Sequence, residues 1–200
     1  MNKFKEIMTL PNWLSLGRIG AVPVLVLLLG VGEGGRGLSI VSAILFLVAV
    51  LTDLLDGFLA RRWKLVTNLG RFLDPLADKL LISSALIMLI PLDRAAAWVV
   101  FLIIGREIAI TGLRGIAAAE GVVIDASLAG KQKALTQNVA IFLLLWHYPV
   151  WGVNLHVVGS VILYLALIAT YWSGYAYFRE FFLVFLEQSE EKGIDKAEEK

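Results

Sequence analysis

Four aspartates dominate the chemistry this sequence can offer. Asp53 and Asp56 stand three residues apart, and Asp74 and Asp78 four apart, so each pair shares one face of a helix. A basic turn at Arg61, Arg62 and Lys64 separates the pairs. A helical hairpin folded there would bring two carboxylates from each arm to one depth. Like charges that close raise one another's pKa and cannot all ionise without cations. A divalent ion resolves the conflict. Hard oxygen donors, in a chain with no cysteine and no convincing histidine cluster, favour Mg2+ or Mn2+ over Zn2+. Two such ions would polarise a phosphoryl group and stabilise both its entering and its leaving oxygen. Gly57 lets a ligand approach the helix backbone, and Arg61 offers a planar fork of donors for phosphate. The competing structural reading pairs these aspartates with Arg61, Arg62 and Arg71 in a salt-bridge network. That network accounts for two carboxylates more easily than for four on two helices.

The elements that must position these acids are membrane helices. Of 200 residues, 58% are hydrophobic and 18% charged, and the mean hydropathy of +0.78 argues against an ordinary soluble domain. The formal net charge is +1, so there is no bulk basic field of the kind that gathers nucleic acid. A bilayer core of about 30 Å takes roughly 20 residues per helical span. Apolar stretches at 12–32, 38–62, 73–92, 95–120, 132–148 and 153–185 predict six such spans in one all-α bundle. Met1 to Leu10 alternates apolar and charged residues at roughly helical spacing and predicts a short amphipathic segment on the membrane surface. The stretch from His147 to Asn154 reads as the turn between the last two spans. After Phe185 the chain is charged and nearly devoid of apolar residues. Residues 1–186 are therefore expected to form the membrane domain, and 187–200 a disordered tail.

Charge also predicts orientation. All but Arg36 and Arg94 of the 18 lysines and arginines fall on one side when alternate connections are compared, which would place both termini and the aspartates in the cytoplasm. Charged residues at membrane depth are costly and mark functional sites. Arg106 and Arg114 lie eight residues apart on one helix, and Lys131 and Lys133 open the next. Together these four could form a basic pocket for an anionic acceptor beside the acids. Glu107 follows Arg106 and could orient it. His147 and His156 fall at the opposite end and receive no catalytic role.

Written out, the acidic stretch is Asp53-x2-Asp56-Gly57-x2-Ala60-Arg61-x8-Gly70-x3-Asp74-x3-Asp78. It resembles, at every fixed position, the signature of the CDP-alcohol phosphotransferase family. The resemblance implies an integral membrane enzyme, usually a homodimer, that moves a phosphatidyl or similar group from a CDP-linked donor to an alcohol and releases CMP. It further implies that Asp53, Asp56, Asp74 and Asp78 hold two divalent ions and that Asp78 is the general base. Gly57, Ala60, Arg61 and Gly70 would then form the CDP site. Pro11-Asn12-Trp13-Leu14-Ser15-Leu16-Gly17-Arg18, Gly105-Arg106-Glu107 with Arg114, and Gly130-Lys131-Gln132-Lys133 are similar to stretches in the branch of the family that makes phosphatidylglycerophosphate. Ser15 stands where threonine is usual. That branch implies CDP-diacylglycerol as donor, glycerol 3-phosphate as acceptor, and a bacterial inner membrane as location. Inositol phosphate, serine or phosphatidylglycerol as acceptor remain alternatives within the family. A divalent-cation transporter is the alternative outside it, although Arg61 beside a cation path would repel the cargo.

Overall fold

Six α-helices and one isolated β-bridge make up the regular structure among the described residues, 9–31, 35–63, 68–119 and 128–198, of the computed structural model. The helices are α1 (Leu10–Val31), α2 (Arg36–Trp63), α3 (Asn68–Leu89), α4 (Ala97–Ala119), α5 (Leu128–Trp146) and α6 (Leu155–Glu198). The expected amphipathic segment lies outside the described residues, apart from its last two residues, Thr9 and Leu10, the second of which opens α1. Three stretches, Asn12–Val31, Arg36–Asp53 and Leu155–Leu183, are long and apolar enough to cross a bilayer, and the chain is a membrane protein. Helices α3, α4 and α5 carry their charged residues within the helix: Asp74, Asp78 and Lys79; Arg106, Glu107 and Arg114; Lys131 and Lys133. Those charges set them apart from the three more apolar stretches, each of which still carries one or two charged residues, Arg18 in the first, Arg36 and Asp53 in the second, Arg179 and Glu180 in the third.

The bundle packs α1 on α2 and α3, α5 on α6, and α4 on α6, with α2 also against α5. Its apolar core is built by Leu25 and Leu29 of α1, Phe46 of α2, Leu81 to Leu89 of α3, Val99 to Ile103 of α4, Ile141 to Leu145 of α5 and Leu163 of α6. These fall late in α1, early in α2, late in α3, early in α4, late in α5 and early in α6. Sequential helices thus run in alternating directions. The other ends of the same helices, which hold the ionisable residues, therefore meet in one layer. At the α5–α6 crossing, a Cβ on Gly159 would stand 3.0 Å from Leu144 Cγ and 3.1 Å from Leu143 Cβ, so glycine permits the close approach there.

The core end is closed by a connection that satisfies helix termini. Arg94 is 4% exposed and donates to the carbonyls of Leu144 (3.4 Å) and Leu145 (2.9 Å) and to Ser39 Oγ (2.8 Å). It thereby caps the last carbonyls of α5, where a cation is favoured by the helix dipole. The expected turn at His147 to Asn154 is present. Trp151 and Gly152 both take positive φ (48° and 79°) between Val150 and Val153, which exchange hydrogen bonds of 3.1 and 2.9 Å in the manner of a two-residue hairpin. Asn154 Oδ1 then accepts from the N–H groups of His156 and Val157 and caps the start of α6. His147 and His156 lie at this end, with ring centroids 4.9 Å apart.

Two expectations differ from the structure. Helix α3 begins at Asn68 rather than near residue 73, which places Asp74 in the helix interior instead of its first turn. Helix α6 continues to Glu198, carrying helical backbone into the segment expected to be disordered. Glutamate, lysine and alanine are good helix formers, and extending an established helix needs no new nucleus.

Candidate active site

The polar layer begins on α1. Ser15 and Arg18 are one helical turn apart and both buried, Arg18 at 3% exposure. Ser15 Oγ donates to Asp74 Oδ1 on α3, and the Arg18 guanidinium pairs with Asp53 Oδ1 on α2. One face of α1 thus ties the acidic arms of the hairpin together, and a helix otherwise fit to span a bilayer gains partners for its buried cation. Asp78, one turn beyond Asp74, is half-buried and lies within electrostatic range of Asp53, Arg18, Lys79 and Lys133. Gly70 is buried one turn before Asp74.

A second cluster adjoins the first through Lys79. Glu107 of α4 receives Lys79 of α3 at 3.5 Å, Arg106 of its own helix at 3.1 Å, and Lys133 of α5. Lys133 is 6% exposed. Arg106 Nη2 also donates to Ser173 Oγ of α6 at 2.8 Å, and the guanidinium runs over Gly174, where a Cβ would stand 2.9 Å from Arg106 Nε. The Arg114 guanidinium lies over the Tyr177 ring, 5.3 Å from its centroid, in the cation–π range. Arg106 and Arg114 accordingly face the same neighbour, α6, as their spacing predicts.

The structure therefore joins Asp53, Asp74 and Asp78 in one layer with Arg106 and Lys133, and places Arg114 against α6 at the same end. Asp56, Gly57, Ala60 and Arg61 continue α2, and Lys131 lies in the first turn of α5; their side chains are outside the described set. Sequence reasoning did not assign Ser15, Arg18, Lys79 or Ser173 to the site. The available signal was an arginine inside an apolar helix, which demands a buried partner.

The donors around Asp53, Asp74 and Asp78 are carboxylate oxygens. This chemistry suits a hard divalent cation and not a thiophilic one. Among the described residues, no three carboxylate or imidazole groups form a cluster able to hold an ion.

Residues 8–172 match the family described as CDP-alcohol phosphatidyltransferase. The chain belongs to this family. It is 41% identical over 179 residues to the CDP-diacylglycerol–glycerol-3-phosphate 3-phosphatidyltransferase of Bacillus subtilis (strain 168), covering 84% of this chain and 93% of the relative. It is 37% identical over 172 residues to the protein of the same name from Rickettsia typhi, covering 85% and 95%. It is 36% identical over 176 residues to that of Yersinia pestis, covering 85% and 93%. The matched stretch of the CDP-alcohol phosphatidyltransferase family contains the charged residues of both clusters, with the α6 contacts at Ser173, Gly174 and Tyr177 just past its end.

Proposed function

We propose that this chain transfers the phosphatidyl group of CDP-diacylglycerol to glycerol 3-phosphate, giving phosphatidylglycerophosphate and CMP. The observation that carries the reading is the junction of the two clusters: an acidic layer from α2 and α3 adjoins a cationic one from α3, α4 and α5 through Asp78 and Lys79. The acids suit a diphosphate held through cations, and the lysines and arginines suit an acceptor that carries its own phosphate. The names of the relatives in Bacillus subtilis and Rickettsia typhi support the same donor and acceptor.

Asp53, Asp56, Asp74 and Asp78 would hold two Mg2+ or Mn2+ ions, which when bound draw charge from the diphosphate and stabilise the leaving phosphate of CMP. Gly57, Ala60, Arg61 and Gly70 form the CDP site, with the small residues admitting the nucleotide and Arg61 donating to phosphate. Arg106, Arg114, Lys131 and Lys133 bind the acceptor phosphate. Asp78 takes the proton of the acceptor hydroxyl. The freed oxygen bonds to the β-phosphorus of the donor as the bond to the CMP oxygen breaks. Ser15 and Arg18 fix the orientation of Asp74 and Asp53. All six helices cross the membrane in this reading, with the acidic layer and both termini on the cytoplasmic side of a bacterial inner membrane, and the protein works as a homodimer. The acyl chains of the donor stay in hydrocarbon while its diphosphate reaches the layer.

The test is CMP release from CDP-diacylglycerol by the purified protein in detergent with Mg2+, comparing glycerol 3-phosphate, inositol phosphate, serine and phosphatidylglycerol. Release that depends on glycerol 3-phosphate is expected. Release with another acceptor alone would overturn the acceptor assignment, and Mg2+ flux in liposomes without CMP release would overturn the enzymatic reading.

A further inference from the structure

Glu107 is the one carboxylate, among the described residues, that gathers cations from three helices. Lys133 and Arg106 engage its Oε1 and Lys79 its Oε2. Lys133 is almost fully buried, and a buried ammonium is held only by a partner. Three cations this close repel strongly in a low-dielectric layer. Without an anion among them they would splay apart, Lys79 towards Asp78 and Arg106 towards Ser173, its other partner.

We infer that Glu107 is a positioning residue for acceptor recognition, holding Lys79, Arg106 and Lys133 as one cradle for the acceptor's phosphate. The inference rests on the acceptor assignment proposed above. Three cations and one carboxylate leave the cradle a positive surplus even before Arg114 and Lys131 are counted, which favours a phosphomonoester dianion over an uncharged acceptor. The cradle need not open to bind it. An ammonium has three donors and a guanidinium five, so each cation can keep Glu107 and still donate to phosphate. The placement also explains why the carboxylate belongs in a phosphate site at all: it fixes the donors before the acceptor arrives, and the acceptor then binds without a cost of ordering long side chains. An acceptor lacking the phosphate gains nothing from the cradle, so Glu107 contributes to specificity as well as affinity.

The test is steady-state CMP release by wild type and by the Glu107→Gln, Glu107→Asp, Lys133→Gln and Glu107→Gln/Lys133→Gln variants, varying glycerol 3-phosphate and CDP-diacylglycerol separately. Glu107→Gln should raise the KM for glycerol 3-phosphate about tenfold, as expected on losing a charge-assisted contact. The KM for CDP-diacylglycerol should stay within about twofold of wild type. Glu107→Asp, which keeps the charge on a shorter arm, should fall between the two. The double variant should fall short of the product of the two single effects, because Lys133 is one of the three cations that Glu107 holds. Equal rises in both KM values, a loss of kcat with both KM values unchanged, or multiplicative single effects would each overturn the inference. If Glu107→Gln does not fold, Glu107→Asp decides by the same split between the two KM values. Wild-type protein that releases CMP without regard to glycerol 3-phosphate would instead overturn the acceptor assignment on which the inference stands.

Discussion

Gly174→Ala should damage the acceptor side of the reaction while leaving the fold nearly untouched. The added methyl would lie 2.9 Å from Arg106 Nε, 3.5 Å from Cγ and 3.6 Å from Nη2. Relaxed contact needs about 3.5–4.0 Å, so the guanidinium must move by roughly half to one ångström. That shift strains both of its anchors, the 2.8 Å bond to Ser173 Oγ and the 3.1 Å pair with Glu107. Charge-assisted hydrogen bonds contribute about 1.5–3 kcal/mol, and losing half of that at Arg106 would lower acceptor kcat/KM about three- to tenfold, since tenfold corresponds to about 1.4 kcal/mol. For the fold, the crowding is opposed by a gain of about 1 kcal/mol from replacing glycine by alanine inside a helix. The net change in stability should therefore be small. The assay is CMP release with each substrate varied in turn, beside a thermal melt followed by tryptophan fluorescence. An unchanged kcat/KM for glycerol 3-phosphate, or an equal loss for the donor, would refute the placement of Arg106 in acceptor binding.

Arg94→Ala removes three hydrogen bonds from a buried cation at the core end and should cost about 3–5 kcal/mol. In a thermal melt that is a fall in Tm of roughly 6–20 °C, with CMP release intact at low temperature, because the residue is far from the acidic layer. Gly159→Val inserts a branched side chain where even a Cβ is 3.0 Å from Leu144, and should destabilise by about 1–3 kcal/mol through overpacking, again read by Tm. Chelation by EDTA should abolish CMP release and Mg2+ or Mn2+ should restore it; full activity in EDTA would contradict metal binding by the four aspartates.

Much of this arrangement was legible in the residues because intramembrane charge is costly and therefore informative. The spacing of Asp53, Asp56, Asp74 and Asp78 points to a hairpin with its acids at one end, and alternating helix direction brings Arg106 and Lys133 to the same layer. What spacing could not show is contact between distant segments. Ser15 and Asp74 are 59 residues apart, and Arg106 and Ser173 are 67, and nothing in the local pattern of α1 or α6 identifies those partners. Lys79 looked like a topology marker beside Asp78, and only the fold turns it towards Glu107. Helical backbone also runs on past Phe185, where composition alone gives no apolar periodicity, through residues of high helix propensity to Glu198.

The central claim is that the acidic layer carries out a phosphatidyl transfer with Asp78 as base. Its most direct test compares wild type with Asp78→Asn, measuring phosphatidylglycerophosphate and CMP formed from CDP-diacylglycerol and glycerol 3-phosphate with Mg2+, alongside binding of CDP-diacylglycerol. The account predicts that wild type forms both products in equal amounts, and that Asp78→Asn forms neither while still binding the donor. Product formation by Asp78→Asn at the wild-type rate would contradict it.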